Sequence, residues 1–299
     1  MPETWAIETS ELRKSYGSTE VLRGLGLQVS RGSIHGFLGR NGAGKTTTIK
    51  TLLGMAHATG GEARVLGLAS GDPSASVEIR RRTGFVSEDK DLLDYMTVEQ
   101  IVRFTASFYP RWRSDLEQHY LRAFELPADR KVRALTRGMR TKLALMLVFC
   151  RGAELLILDE PTSGLDPAMI EEVLQAIVRH VSREELTVFF SSHQIAEVEQ
   201  IADHVSVIDR GRTVVSGALD DLREKYCRLQ LVFDGDAPYA SFRADGVVRV
   251  KRQGRVLSVL AAGDRDALLE EARALGPASV DVVPVNLKEI FLETVTAEE

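Results

Sequence analysis

SIHGFLGRNGAGKTTTIKTLLG, residues 33–54, decides the fold of this 299-residue chain. Its opening, SIHGFLG, is a short apolar run of the kind a buried strand uses. Gly39 to Thr46 then reads GRNGAGKT, which matches G-x-x-x-x-G-K-[ST]. Ile49, Leu52 and Leu53 follow at helical spacing, and Gly54 suits a helix end. A chain folding for stability alone would avoid so many glycines in one turn, because each loses backbone entropy on ordering. Strand, glycine turn and helix in that order make a phosphate cradle. Glycines let the main chain approach a polyphosphate, and the first helical turn offers unpaired N–H groups at a positive dipole end. In that setting Lys45 reaches the β- and γ-phosphates and the Thr46 hydroxyl ligates Mg2+.

A second stretch supplies acids. AELLILDEP covers residues 153–161, and its continuous apolar run Leu155–Leu158 fits a parallel strand covered on both faces. Asp159 and Glu160 stand at the C-terminal end of that run, the edge where open α/β sheets bind ligands. Asp159 is placed to hold Mg2+, and Glu160 to polarise the water that attacks the γ-phosphate. In LTVFFSSHQIAEVEQIADH, residues 186–204, Val188–Phe190 read as another buried strand, with His193 where strand gives way to helix. That position favours a contact with the γ-phosphate. The other five histidines, at 35, 57, 119, 180 and 204, have no such setting.

Composition bounds the rest. An apolar fraction of 44% and a charged fraction of 27% are those of a globular protein. The net charge of -5 argues against nucleic acid as a partner. Cys150 and Cys227 give neither zinc spacing nor a disulfide framework. The longest apolar run, LALMLVFC from Leu143 to Cys150, is too short to span a bilayer, and MPETWAIETSELRKSYG lacks an apolar signal core.

Over roughly residues 7–225 the sequence resembles the ATP-binding subunit of an ATP-binding cassette (ABC) transporter. The phosphate loop, the acidic strand end and His193 occur in that family's order. The resemblance implies a P-loop NTPase cassette: a parallel-sheet core with an antiparallel β subdomain and a helical subdomain, here about residues 91–150. It implies ATP and Mg2+ as ligands, with Gly39, Asn41, Gly42, Ala43, Gly44, Lys45, Thr46 and Thr47 around the nucleotide. Tyr16, in RKSYGSTEVL, sits where the family stacks an aromatic ring on adenine. In PTSGLDP, residues 161–167, Asp166 matches the residue that faces a partner subunit. The family's LSGGQ motif is matched by LTRGM, Leu135, Thr136, Arg137, Gly138 and Met139, at a helix start that closes on the γ-phosphate held by the opposite subunit. Arg137 replaces a glycine there, and either adds a cation near phosphate or points to solvent. Glu88, at the end of TGFVSED, replaces the family's usual glutamine and takes its place at the metal.

One set of motifs per chain implies pairing with a second copy or a homologous ATPase subunit. It also implies a separate membrane-spanning permease and a place on the cytoplasmic face of the membrane. DYMTVEQIVRFTASFYPRW, the LTRGM variant and the C-terminal extension together resemble exporter-type subunits of bacteria, whose cargo is a drug, peptide or lipid-like compound. A cassette ATPase uncoupled from transport is the alternative reading. Residues 226–299 read as a small α+β accessory domain, with strands in LQLVF, VVRVKR, RVLSVLAA and SVDVVPV and helices in RDALLEEARAL and NLKEIFLETV. The basic residues of VVRVKRQGR suit a solvated hairpin.

Overall fold

The computed structural model describes residues 5–184, 186–263 and 265–295. The chain divides into one compact unit up to Ser216 and another from Gly217. The expected boundary after residue 225 lies one short helix later than this division.

The first unit opens with a long hairpin, β1 (Trp5–Tyr16) and β2 (Thr19–Ser30). Then β3 (Ile34–Leu38) runs into α1 (Lys45–Leu52), followed by β4 (Gly60–Val65) and β5 (Leu68–Ala69). Strands β2, β1, β4 and β5 form an antiparallel sheet in that order. After β5 comes the helix α2 (Pro73–Arg82). Its signals are local: the Asp72 carboxylate accepts from the Ser74 and Ala75 N–H groups, and Pro73 occupies the first helical position.

After β6 (Thr83–Val86) comes the helical subdomain: α3 (Val98–Ala106), α4 (Ser114–Ala123) and α5 (Arg137–Phe149). Thr97 and Gln100 close a reciprocal capping box at α3. The apolar run of α5 is explained by burial on all sides: every residue from Thr141 to Phe149 is buried. Among the described residues, no helix is long and apolar enough to cross a membrane.

The chain then alternates through β7 (Leu155–Asp159), α6 (Pro167–Glu184), β8 (Thr187–Ser192), α7 (Ile195–Ile201), β9 (His204–Asp209) and β10 (Arg212–Ala218). The central sheet has the order β10-β9-β3-β8-β7-β6. Its pairs β9–β3, β3–β8, β8–β7 and β7–β6 are all parallel. The register aligns Leu38 with Ser192, Asp159 with Ser191, and Val86 with Leu158. Four strands therefore end along one edge, and the loops that leave them share one neighbourhood. Between the two sheets α1 is a structural wedge. Its Ile49 and Leu52, with the following Leu53, are fully buried in one apolar cluster with Ile7, Leu25 and Val65 of the antiparallel sheet and Phe37, Ile157 and Phe189 of the parallel one.

The second unit holds α8 (Leu219–Lys225), β11 (Tyr226–Val232), β12 (Val247–Gln253), β13 (Val256–Ala262), α9 (Arg265–Ala274), β14 (Ser279–Pro284) and α10 (Leu287–Val295). Its antiparallel sheet, β12-β13-β11-β14, buries Leu229, Leu231 and Val259 with Leu268 and Ala272 of α9. The basic hairpin is engaged within the unit. Arg249 and Lys251 pair with Glu293, and Arg252 lies 4.5 Å above the Tyr239 ring.

Two buried histidines set an acid limit on this fold. His180 packs against the Phe149 ring, centroids 4.0 Å apart, and meets the Tyr120 hydroxyl at 3.1 Å. Burial, then the nearby Arg113 and Arg183, lower its pKa to about 4. His35 meets the Ser206 hydroxyl at 2.9 Å, and burial, then His204, lower it to about 3. Folding keeps both rings neutral, whereas the unfolded chain protonates them near 6.5. Their contribution is complete above the unfolded value and is lost as pH falls toward 4 and 3. At pH 5 each ring held neutral costs about 2 kcal/mol. Urea midpoints are expected to drop between pH 7.5 and 5, and His180→Gln to weaken that dependence. Equal midpoints at both pH values would contradict this assignment.

Candidate active site

The cradle forms where β3 ends. Gly39 is pressed against β9, so that a Cβ there would lie 2.7 Å from the Ile208 carbonyl oxygen. Gly42 and Gly44 have φ of 81° and 113°, the left-handed region that favours glycine. Gly44 also caps α1, and a Cβ on it would meet the Leu22 side chain at 2.9 Å. The loop thus curls under the β1–β2 hairpin with its N–H groups at the helix start. Lys45, only 6% exposed, turns back over it: Nζ donates to the Gly39 carbonyl at 2.7 Å and the Arg40 carbonyl at 3.3 Å.

The same ammonium stands 3.1 Å from Glu160 Oε1. The other Glu160 oxygen, Oε2, lies 2.8 Å from His193 Nδ1. Lysine, glutamate and histidine from three different strand ends therefore form one continuous chain. Glu160 is held with φ of 46°, a strained value for a residue with a Cβ. Its buried Oε1 accepts no hydrogen bond, the angle to Lys45 making an ion pair alone. Behind the chain, one hydroxyl serves both acids. Ser191 Oγ donates to Asp159 Oδ1 at 2.6 Å and accepts from the Glu160 N–H at 2.9 Å. Next door, Ser192 Oγ donates to the buried Glu197 carboxylate at 2.6 Å and accepts from the Gln194 N–H, which fixes the turn carrying His193.

A cleft of about 520 Å³ is lined by Asn41, Gly42, Gly44, Lys45, Thr46, Thr47, Glu88, Glu160 and Val21 of the hairpin. Thr46 and Glu88 also line an adjoining cleft together with Asp159. Among the described residues no three His, Cys, Asp or Glu side chains form a metal cluster. Thr46, Glu88 and Asp159 instead make a mixed set of one hydroxyl and two carboxylates, hard oxygen donors of the kind Mg2+ takes.

Other expected residues lie apart from this cleft. Tyr16 ends β1, half exposed, with Lys14 Nζ 4.6 Å from its ring centre, and it does not line the cleft. Thr136 caps α5, its hydroxyl accepting from the Met139 N–H at 3.2 Å, and Gly138 is buried against Met169. Leu135 is buried beneath that start. Asp166 caps α6 by accepting from the Met169 N–H at 3.0 Å. The Arg137 side chain is exposed at the α5 start. It packs on the backbone of Gly164, where a Cβ would lie 2.2 Å from its Cζ. That contact joins the LTRGM start to the PTSGLDP loop of the same chain.

Sequence reasoning passed over Ser191, Ser192 and Glu197. Their signal was a pair of hydroxyls in a strand buried on both faces, where polar atoms need partners.

A family model described as ABC transporter matches residues 22–163. A second, described as AAA domain, putative AbiEii toxin, Type IV TA system, matches residues 128–199. The bacitracin transport ATP-binding protein BcrA of Bacillus licheniformis is 35% identical over 230 residues, covering 75% of this chain and 74% of the relative. The chain belongs to the ABC transporter ATP-binding family. The ABC transporter ATP-binding protein YtrB of Bacillus subtilis is 27% identical over 286 residues, covering 96% of this ABC subunit and 97% of the relative. The solved structure of an ATP-binding subunit of an ABC transporter superposes with a TM-score of 0.66 at 28% identity, covering 73% of this chain and 92% of that one. The fold is thus the P-loop NTPase cassette, and this ABC subunit is an ATPase that powers transport. The solved cbiO1 of Clostridium perfringens, 25% identical with a TM-score of 0.64 over 72% of this chain and 89% of that one, is part of the ABC transporter complex cbiONQ. A cassette ATPase uncoupled from transport is the less favoured reading.

Proposed function

We propose that this subunit hydrolyses Mg2+-ATP in a site shared between two ATPase chains. It thereby drives export of a drug, peptide or lipid-like compound through a separate permease at the cytoplasmic face of the membrane. The observation that carries the reading is the chain Lys45–Glu160–His193 at the mouth of the glycine cradle. Gly39, Asn41, Gly42, Ala43, Gly44, Thr46 and Thr47 receive the phosphates, and Tyr16 offers its exposed ring to the adenine. Lys45 meets the charge on the transferred phosphoryl group. Glu160, whose carboxylate lines the cleft beside Lys45, takes up and polarises the attacking water. His193 fixes Glu160 from the far side and contacts the γ-phosphate. Thr46, Glu88 and Asp159 would hold Mg2+, which supplies charge neutralisation between the phosphates. The α5 start of the second chain, Leu135 to Met139, closes the site with its N–H groups, and Asp166 faces that partner. Catalysis here is mainly positional and electrostatic. Export as the direction is supported by likeness to a subunit named for bacitracin transport and by the C-terminal unit.

Purification of the chain from detergent-extracted membranes tests this reading. A membrane-spanning chain is expected to copurify and to raise ATP turnover severalfold. Full turnover by a preparation that holds no membrane protein would favour the uncoupled alternative.

A further inference from the structure

Lys90 follows the proposed metal-site residue Glu88 by two positions, yet it does not point into solvent as a loop lysine ordinarily does. It is 5% exposed and held at φ of 50°, a conformation that costs a residue with a Cβ. Its N–H closes a turn onto the Ser87 carbonyl at 3.1 Å. Its Nζ donates to the Glu88 carbonyl at 2.9 Å and, across the sheet edge, to the Glu160 carbonyl at 3.3 Å. An ammonium is costly to bury unless its donors are used, so both carbonyls are firm partners.

We propose that Lys90 is a positioning residue for ATP hydrolysis, its buried ammonium tying the Glu88 loop to the Glu160 peptide. The inference rests on the roles given above to Glu88 and Glu160. Glu160 sits at a strained φ, and its carboxylate must meet Lys45 and His193 together. Its N–H is fixed by Ser191, and its carbonyl accepts from the Ser163 N–H at 3.1 Å and from Lys90, so the peptide is clamped on both sides of the Cα that aims the side chain. The second donor of the same ammonium fixes the Glu88 carbonyl, so loop and strand end share one register. A side chain without a donor frees the Glu88 carbonyl and leaves the Glu160 carbonyl to the Ser163 N–H alone, so the tie between loop and strand end is lost. The carboxylate of Glu160 then samples directions that do not present it to water, while the glycine cradle that grips the phosphates is untouched.

Three measurements on the full chain test this: steady-state ATP hydrolysis, nucleotide affinity from a fluorescent ATP analogue in EDTA, and amide exchange over residues 87–91 and at Glu160 and Thr162. Lys90→Met is expected to lower kcat about tenfold, the scale of one lost charged hydrogen bond. KM for ATP and the affinity in EDTA stay unchanged, and exchange quickens at both segments. Lys90→Arg, which restores a long cationic donor, is expected to recover most of kcat and the slow exchange. If Lys90→Met does not fold, Lys90→Leu, which likewise lacks a donor, carries the same readings. Unchanged kcat, a loss confined to KM, or a low kcat in Lys90→Arg with exchange at wild-type rates would each overturn the proposal. Glu160→Gln measured alongside separates the two layers. If it loses turnover while Lys90→Met does not, the positioning role alone fails. If it keeps wild-type turnover, the reading of the site fails.

Discussion

Glu160→Gln is expected to lower ATP turnover by a hundredfold or more while ATP still binds, the scale of a lost general base. The substitution keeps the shape of the side chain and its contact with His193, but removes the negative charge and basicity. The Glu160 carboxylate lines the phosphate cleft between Lys45 and His193, at the place where the attacking water must be oriented. A neutral amide there orients water poorly and takes no proton. The cradle and Lys45 remain, so nucleotide continues to draw two chains together. A long-lived ATP-bound dimer should therefore accumulate. Size-exclusion chromatography with saturating Mg2+-ATP, beside a phosphate-release assay, reads both effects. A monomer that hydrolyses at the wild-type rate would remove Glu160 from the role of base.

Lys45→Met is expected to act earlier, at binding. The lysine places one positive charge inside the glycine cradle, 6% exposed, and donates to the loop's own carbonyls at Gly39 and Arg40. Its removal takes away the charge that meets the β- and γ-phosphates and loosens the loop that presents the N–H groups. It also strands Glu160 as a buried carboxylate that keeps its hydrogen bond with His193 but loses the adjacent ammonium. Breaking a buried pair by deleting one member costs about 3–5 kcal/mol. Two signatures follow: a lower melting temperature without nucleotide, and ATP affinity weakened by tenfold or more. Turnover falls with it. The contrast between the variants is diagnostic, because Glu160→Gln binds without turning over whereas Lys45→Met fails to bind. Equal ATP affinity in wild type and Lys45→Met would contradict the cradle as drawn.

The parts of the site that the sequence shows plainly are those whose chemistry is local. Glycine spacing around Lys45 and a carboxylate pair closing an apolar strand each encode a backbone shape and a chemical group together. The parallel order of β3, β8 and β7 then brings those strand ends to one edge, as the alternation of strands and helices implies. Contacts set by tertiary packing are not legible this way. Arg137 settles on Gly164, and no spacing rule places a guanidinium on a loop 27 residues away. Lys90 reads as one charge in an acidic loop until the fold sets the Glu160 carbonyl beside it. Ser191 is invisible in a run of strand formers until register pairs it with Asp159. The α2 helix is again local in its signals, with Asp72 at its cap and Pro73 at its first position. Tyr16 is assigned to the base by resemblance alone, and its half-exposed ring ends the hairpin outside the residues that line the phosphate cleft.

A structure of Glu160→Gln grown with Mg2+ and ATP tests the composite site most directly. Two copies are predicted, each triphosphate tail lying against Lys45 of one copy and beneath Thr136 and Gly138 of the other. A tail lying away from Lys45, or a pair of copies whose α5 starts stand remote from both nucleotides, would contradict the shared site.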